Sequence, residues 1–204
     1  MKKIKKLLII SHVLHYQWNK KLYAFGPYVR EIDIWADLFT EVFISAPFKK
    51  GKPPPDALAF SRSNISILPQ PETGGDIWIA KLYQICMLPI LIYNLIRAMC
   101  KVDAIHVRCP GNLGLLGCIF APLFSKYRIA KYAGQWNGYV GEPWTVRLQR
   151  KILSSKWWDA PVIVYGKWKN QPHYIIPFFS SVLSNTQMEY ARQISSKKVL
   201  TYPV

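Results

Sequence analysis

Apolar residues along this chain come in two rhythms. Leu7-Leu8-Ile9-Ile10 is a continuous run that fits a strand buried on both faces. Further on, Val29, Ile32, Trp35 or Ala36, and Phe39 recur at helical spacing, with Arg30, Glu31, Asp33 and Asp37 on the opposite face. Pro27 suits the first helical position, where its missing N–H has no intrahelical partner to lose. A second apolar run, Val42-Phe43-Ile44, comes at once, so residues 5–47 are expected to form a β-α-β unit with a right-handed crossover. Residues 12–25, polar and aromatic, are expected to form the loop between strand and helix. In such a sheet ligands bind beyond the carboxyl ends of the strands, which places this loop at the binding edge.

The same alternation continues. After a basic, proline-rich loop at 48–56, Asn64-Ile65-Ser66-Ile67-Leu68-Pro69 predicts a third strand, and the breakers Pro69, Pro71, Gly74 and Gly75 end it. Asp76 is placed to cap a long helix over 76–101 that is apolar on nearly every face. Its Gln84, Pro89, Asn94 and Arg97 argue against a membrane span. It fits either a kinked helix buried on the sheet or a helix partly sunk in a bilayer face, with Lys81, Arg97 and Lys101 toward the head groups. Residues 103–110, 127–132 and 161–165 predict three more strands, with helices over 111–124 and from Glu142-Pro143, where Trp144, Leu148 and Ile152 face inward. An aromatic loop over 168–177 precedes the short run Phe178-Phe179-Ser180-Ser181. A last helix is announced by a Thr186-x-x-Glu189 capping box, and the chain closes on Tyr202-Pro203-Val204. Six strands alternating with helices predict an α/β fold: a Rossmann-like, doubly wound, mainly parallel sheet in a single domain.

Composition narrows the partners. The chain has 204 residues, with 27 Lys+Arg against 11 Asp+Glu and a formal charge of +16. The surplus is spread, 14 basic and 7 acidic residues in 1–102 and 13 and 4 in 103–204, so no basic arm or tail stands out. An anionic partner such as a bilayer surface or a phosphorylated small molecule is expected, the alternative being a merely soluble basic protein, while nucleic acid is not, because the charge gathers on no single element. Cys86, Cys100, Cys109 and Cys118 show no C-x-x-C spacing, so neither a zinc site nor a redox pair is expected, and reduced, cytoplasmic thiols are. Residues 1–14 carry lysines before a short apolar core with no small-residue cleavage site, which fits a first buried strand better than a signal peptide. No G-x-G-x-x-G comes after that strand, which weighs against a dinucleotide-binding oxidoreductase.

Three segments carry a resemblance. They are residues 15–35, with Trp18-Asn19 and Gly26-Pro27-Tyr28-Val29-Arg30; then Val107-Arg108-Cys109-Pro110-Gly111-Asn112 together with Tyr132-Ala133-Gly134-Gln135-Trp136; and Tyr165-Gly166 through Asn170-Gln171-Pro172 to Pro177-Phe178-Phe179. In order and spacing they resemble the amino-terminal half of GT-B glycosyltransferases of family 4. The resemblance implies a two-domain enzyme that moves a sugar from a nucleotide-sugar to an acceptor, with retention and without an obligatory metal or other cofactor. The amino-terminal half of such an enzyme mostly holds the acceptor, and the other half holds the donor through two glutamates seven residues apart. Among the five glutamates here, Glu31, Glu41, Glu72, Glu142 and Glu189, no pair has that spacing, so the donor domain is expected to be absent from residues 1–204. Many family members place a histidine beside the transferring sugar where this chain has Tyr132-Ala133-Gly134-Gln135.

The expected substrate-binding residues are therefore Trp18, Asn19, Gly26, Pro27, Tyr28, Arg30, Arg108, Gly134, Gln135, Trp136 and Asn137, with no catalytic residue and no metal ligand among them. Backbone N–H groups near Gly26 would steady a diphosphate, or Gly26-Pro27 is an ordinary helix start. Arg108 at a strand end would meet phosphate or hydroxyls, or serve in an ion pair. Gln135, Trp136 and Asn137 offer an aromatic face flanked by amides, although Trp136 also suits a core, and His106, alone among apolar neighbours, is structural. A glycan or lipid-linked acceptor, a separate donor-domain protein and a peripheral place on the inner membrane face are the expected partners and location. The rival expectation is a non-catalytic module that binds glycan, lipid or protein on the same fold.

Overall fold

The computed structural model describes residues 5–72, 78–168, 172–178 and 185–195. Asp76, Asn170, Gln171, the run from Phe179 to Ser181 and the final Tyr202-Pro203-Val204 lie outside them, as does the Lys81 side chain. In chain order the elements are β1 (Lys6–Ile10), β2 (His15–Trp18), β3 (Lys21–Phe25), α1 (Gly26–Ala36), β4 (Glu41–Lys50), β5 (Ala57–Ala59), β6 (Ile65–Gln70), α2 (Trp78–Met99), β7 (Ala104–Cys109), α3 (Asn112–Phe124), β8 (Tyr127–Tyr132), α4 (Trp144–Leu153), β9 (Val162–Tyr165), β10 (Ile175–Phe178) and α5 (Asn185–Ser195).

Seven strands run parallel in the order β6-β4-β1-β7-β8-β9-β10. Chain order reverses between β1 and β7, the switch point of a Rossmann-like sheet. The central strand is buried on both faces. Leu8 and Ile10 join the core under α2, α3 and α4, and Leu7 and Ile9 join the core under α1. Each such side chain contributes roughly 1.5–3 kcal/mol by leaving water. The α/β, doubly wound, single-domain fold expected from the apolar pattern is therefore the one present.

Six local expectations need correction. Residues 12–25 are not a plain loop, because β2 and β3 form an antiparallel hairpin turned by Asn19 and Lys20, whose φ angles of 48° and 62° are both positive. Two positive φ values make the hairpin turn that matches strand twist, and asparagine tolerates that conformation better than most residues. The hairpin is held by β4, which does not stop at Pro47 but runs on to Lys50 and pairs His15 with Phe48 and Gln17 with Lys50. A seventh parallel strand, β10, emerges from the segment expected to be an aromatic loop; Pro177 is tolerated there because β10 is the last strand of its edge. At the helices, Trp144 points outward with 71% exposure, and Thr186 lies one residue inside α5 rather than ahead of it. Glu31, assigned by period to the solvent face of α1, is 5% exposed. It stands on the stripe shared with Tyr28 and Trp35, which turns toward β7 and β8.

Helix α3 packs tightly on β7 through two glycines. A Cβ built on Gly114 would come within 2.5 Å of the Arg108 carbonyl oxygen, and one on Gly117 within 2.7 Å of Val107 Cγ1. Gly114→Ala is therefore expected to push α3 off β7 and to cost about 1–3 kcal/mol, read as a lower urea midpoint with unchanged slope. An unchanged midpoint would mean that α3 has room to spare.

Candidate functional site

The sheet order sets the place of the site. The carboxyl ends of β1 and β7 lie side by side, so Ser11 and His12 face the turn Cys109-Pro110-Gly111, whose Cys109–Pro110 peptide is cis. The fit is close: a Cβ on Gly111 would stand 2.8 Å from His12 Nδ1, and its φ of 156° also favours glycine. Gly111 N–H donates to Gln149 Oε1 at 3.1 Å, tying the turn to α4, and its carbonyl accepts from Leu115 N in the first turn of α3. The loop after β8 closes one wall. Ala133 N–H donates to the Cys109 carbonyl at 2.6 Å, and a Cβ on Gly134 would touch Pro110 Cδ at 3.4 Å. Farther along that loop, Arg150 grips Glu142 with both guanidinium nitrogens, at 2.5 and 2.8 Å.

Beneath this crevice, on the α1 side of the sheet, lies a buried ion cluster. Lys131 Nζ donates to Glu31 Oε2 at 2.6 Å, and Arg108 Nη1 donates to the same oxygen at 3.1 Å. Arg108 and Lys131 are register partners on β7 and β8, which is why they share one carboxylate. The Arg108 guanidinium lies 5.1 Å from the Tyr28 ring centre, and Lys131 Nζ lies 4.4 and 5.0 Å from the Phe178 and Tyr165 rings. Burial pushes the Glu31 carboxyl up, but Arg108, His106 and Lys131 outweigh it and hold it below the usual range. Burial lowers the Lys131 ammonium against the pull of Glu31. With Glu31 ionised, the cluster carries two cations on one anion, a surplus of positive charge at the floor of the crevice. Burial and then Arg108 lower His12, so the imidazole above the cluster favours its neutral form.

The expected site residues divide. Arg108 and Tyr28 meet in the buried cluster, and Gly134 lies against Pro110 in the turn at the same strand end. Gly26 N–H donates to the Asp56 carbonyl at 2.9 Å, an ordinary contact at the helix start. Pro27 occupies the first turn of α1, and Arg30 is half-buried on that helix. Trp18 and Asn19 are at the exposed tip of the β2–β3 hairpin, alongside β4. Gln135 and Asn137 are exposed, while Trp136 is 9% exposed and packs edge-on against Tyr132 at 5.2 Å, a core position that leaves little face for a sugar. Sequence reasoning passed over His12, Glu31 and Lys131. The legible signal was Lys131 itself: a lysine inside the strand Ile129-Ala130-Lys131-Tyr132 needs a buried partner.

Among the described residues no group of three or more His, Cys, Asp or Glu side chains could hold a metal ion. The cysteines are free thiols, with Cys109 Sγ and Cys118 Sγ 3.4 Å apart in the core. No family model, curated protein or solved structure matches the chain.

Glu31→Gln leaves both cations buried without a counter-charge and is expected to cost about 3–5 kcal/mol; Lys131→Met, which keeps Glu31 paired with Arg108, should cost less. Equal losses in chemical denaturation would show that the three groups do not act together.

His106 and His15 set the acid side of stability. Burial holds both near about 4, below the ordinary 6.5; for His106 Glu31 opposes the shift and Arg108 and Lys131 add to it, and for His15 hydrogen bonding to backbone carbonyls opposes it. The unfolded chain takes these protons first, so stability falls as pH drops from about 6.5 to about 4, by of order 3 kcal/mol per histidine. Glu31, with its lowered value, adds stability above the unfolded carboxylate range that is lost only below it. His106→Leu removes two ring nitrogens that have no hydrogen-bond partner and should flatten the first part of the profile without loss at neutral pH. A profile as steep as that of the native chain would refute the assignment.

Proposed function

We propose that this chain is the acceptor-binding half of a retaining glycosyltransferase, working at the inner membrane face on a glycan or lipid-linked acceptor, with the donor nucleotide-sugar held by a second domain in trans or in a longer chain. The observation that carries the proposal is the surplus positive charge at the switch point. A cation largely withdrawn from water and only half-neutralised favours an incoming anion, and a phosphate group of acceptor or donor meets that need.

A second observation agrees with it. The three segments that carry the family resemblance, far apart in sequence, converge here: Tyr28 and Glu31 from the first, Arg108 and Pro110 with Gly134 from the second, and Tyr165 and Phe178, both against Lys131, from the third. In this proposal Arg108 binds and orients the anionic group, His12 and the Pro110-Gly111 turn shape the crevice, and exposed Gln135 and Asn137 meet acceptor hydroxyls. None of these residues is assigned proton transfer. Positioning is the share of the work assigned to this half, and it is effective only when the donor is held opposite. The absence of a histidine at 132–135 favours one alternative, a module that binds the same anionic ligand without turnover.

The test is sugar transfer by the chain alone and mixed with a candidate donor-domain protein. No transfer alone, transfer with the partner, and a loss of roughly a hundredfold in Arg108→Gln, assayed well below the melting temperature of the variant, are expected. Transfer by the chain alone, above a no-protein control, would sink the proposal. Stabilisation by inorganic pyrophosphate with no transfer in any mixture would leave the non-catalytic module in its place.

A further inference from the structure

Helix α2 presents a physical contradiction. A helix apolar on all sides is normally buried on all sides. Among the described side chains of α2 the deeply buried ones are Leu91, Leu95, Ala98 and Met99, in its second half. Earlier in the helix Leu82, Ile85, Leu88 and Ile90 are 54%, 66%, 39% and 48% exposed, and Tyr93 is 63% exposed. Leu82, Cys86, Pro89 and Tyr93, spaced at three and four residues, make one outward stripe about 16 Å long. Contiguous exposed apolar surface of this kind marks a contact site.

The side chains beyond the stripe point to the kind of contact. At its carboxyl-terminal end the apolar side chains give way to Arg97 and Lys101, both exposed. They flank a groove of about 470 Å³ between α2 and the sheet edge, with apolar walls from Phe43, Leu68 and Val102. Its polar end is already organised: Gln70 Nε2 donates to Ser45 Oγ at 2.8 Å, and Asn94 Nδ2 donates to Gln70 Oε1 at 3.3 Å. An apolar wall beside two cations fits an amphiphile with an anionic head. Among the described residues no helix is long and apolar enough to cross a membrane, and a helix that cannot cross can still lie in the interface. The formal charge of +16 favours the same negatively charged surface.

We propose that α2 docks the protein on an anionic bilayer, its stripe from Leu82 to Tyr93 sinking into the boundary of head groups and acyl chains while the groove at Arg97 and Lys101 receives a lipid phosphate. This deepens the membrane-face location proposed above and owes nothing to sugar chemistry, so vesicle binding and sugar transfer can fail separately.

The experiment is co-sedimentation of the full chain with vesicles of phosphatidylcholine and with vesicles containing roughly a third phosphatidylglycerol. Binding to the anionic vesicles should exceed binding to the neutral ones by about tenfold or more and weaken as salt is raised. Arg97→Gln/Lys101→Gln should lower it by about thirtyfold, two surface charges' worth. Leu82→Gln/Ile85→Gln should lower it by about tenfold, at positions too exposed to disturb the fold. Lys50→Gln/Lys52→Gln, with the same loss of charge on the β4 loop, should stay within about threefold of the native chain, since neither side chain lines the groove that receives the phosphate. Equal binding to both vesicles, or an equal loss in the Lys50/Lys52 variant, would overturn the proposal. So would a dimer seen by sedimentation, abolished by Leu82→Gln/Ile85→Gln, in a chain that binds no vesicle, because a second copy would then cover the stripe.

Discussion

One carboxylate oxygen, Glu31 Oε2, joins a helix to the switch point of the sheet. It is the acceptor for both Lys131 and Arg108, and so ties α1 to the adjacent strands β7 and β8 across the sheet face. Ionic groups buried this deeply are unfavourable unless each is matched, and here the matching is incomplete by one positive charge. The aromatic rings of Tyr28, Tyr165 and Phe178 partly offset the deficit by facing the cations. What remains is a permanent electrostatic demand at the switch point, where the topology opens a crevice.

Close packing converts that demand into a shaped site. Because Gly114 and Gly117 let α3 rest on β7, the first turn of α3 begins directly above the strand end that bears Arg108. Gly111 then passes within contact of His12, and Gln149 of α4 holds the turn in place. The floor is ionic, the walls are backbone turns, and the loop after β8 forms one side. Each part depends on the parallel register of β1, β7 and β8, so the site and the core share one set of constraints.

The remaining surface divides by chemistry. The carboxyl edge of the sheet carries the crevice, and α2 carries an apolar stripe ending in basic side chains beside a groove. Acceptors attached to lipids would reconcile the two, because a chain lying on a bilayer through α2 meets its substrate in two dimensions. An anionic ligand in the crevice and anionic lipid at α2 would also account for a basic surplus that no single arm or helix explains.

Apolar period determined the order of six of the seven parallel strands and of the helices between them, since a strand buried on both faces reads as Leu7-Leu8-Ile9-Ile10 and an amphipathic helix reads as the spacing of Val29, Ile32 and Ala36. It also placed Arg108 at a strand end and Gly134 just beyond another. The β2–β3 hairpin was not legible, because its pairing depends on an extension of β4 that is distant in sequence and passes through a proline. Nor was the side of α1 that Glu31 takes: a charged residue at the margin of an apolar stripe faces water by local preference, and only partners on other strands, Arg108 and Lys131, reverse that. For Trp136 the sequence left both a sugar contact and a core place open, and the structure encloses it among Tyr132 and the surrounding core. Local sequence sets period and breaks. Which charges are buried together, and which apolar faces stay in water, is decided by contacts between residues up to a hundred positions apart, and those exist only once the sheet has formed.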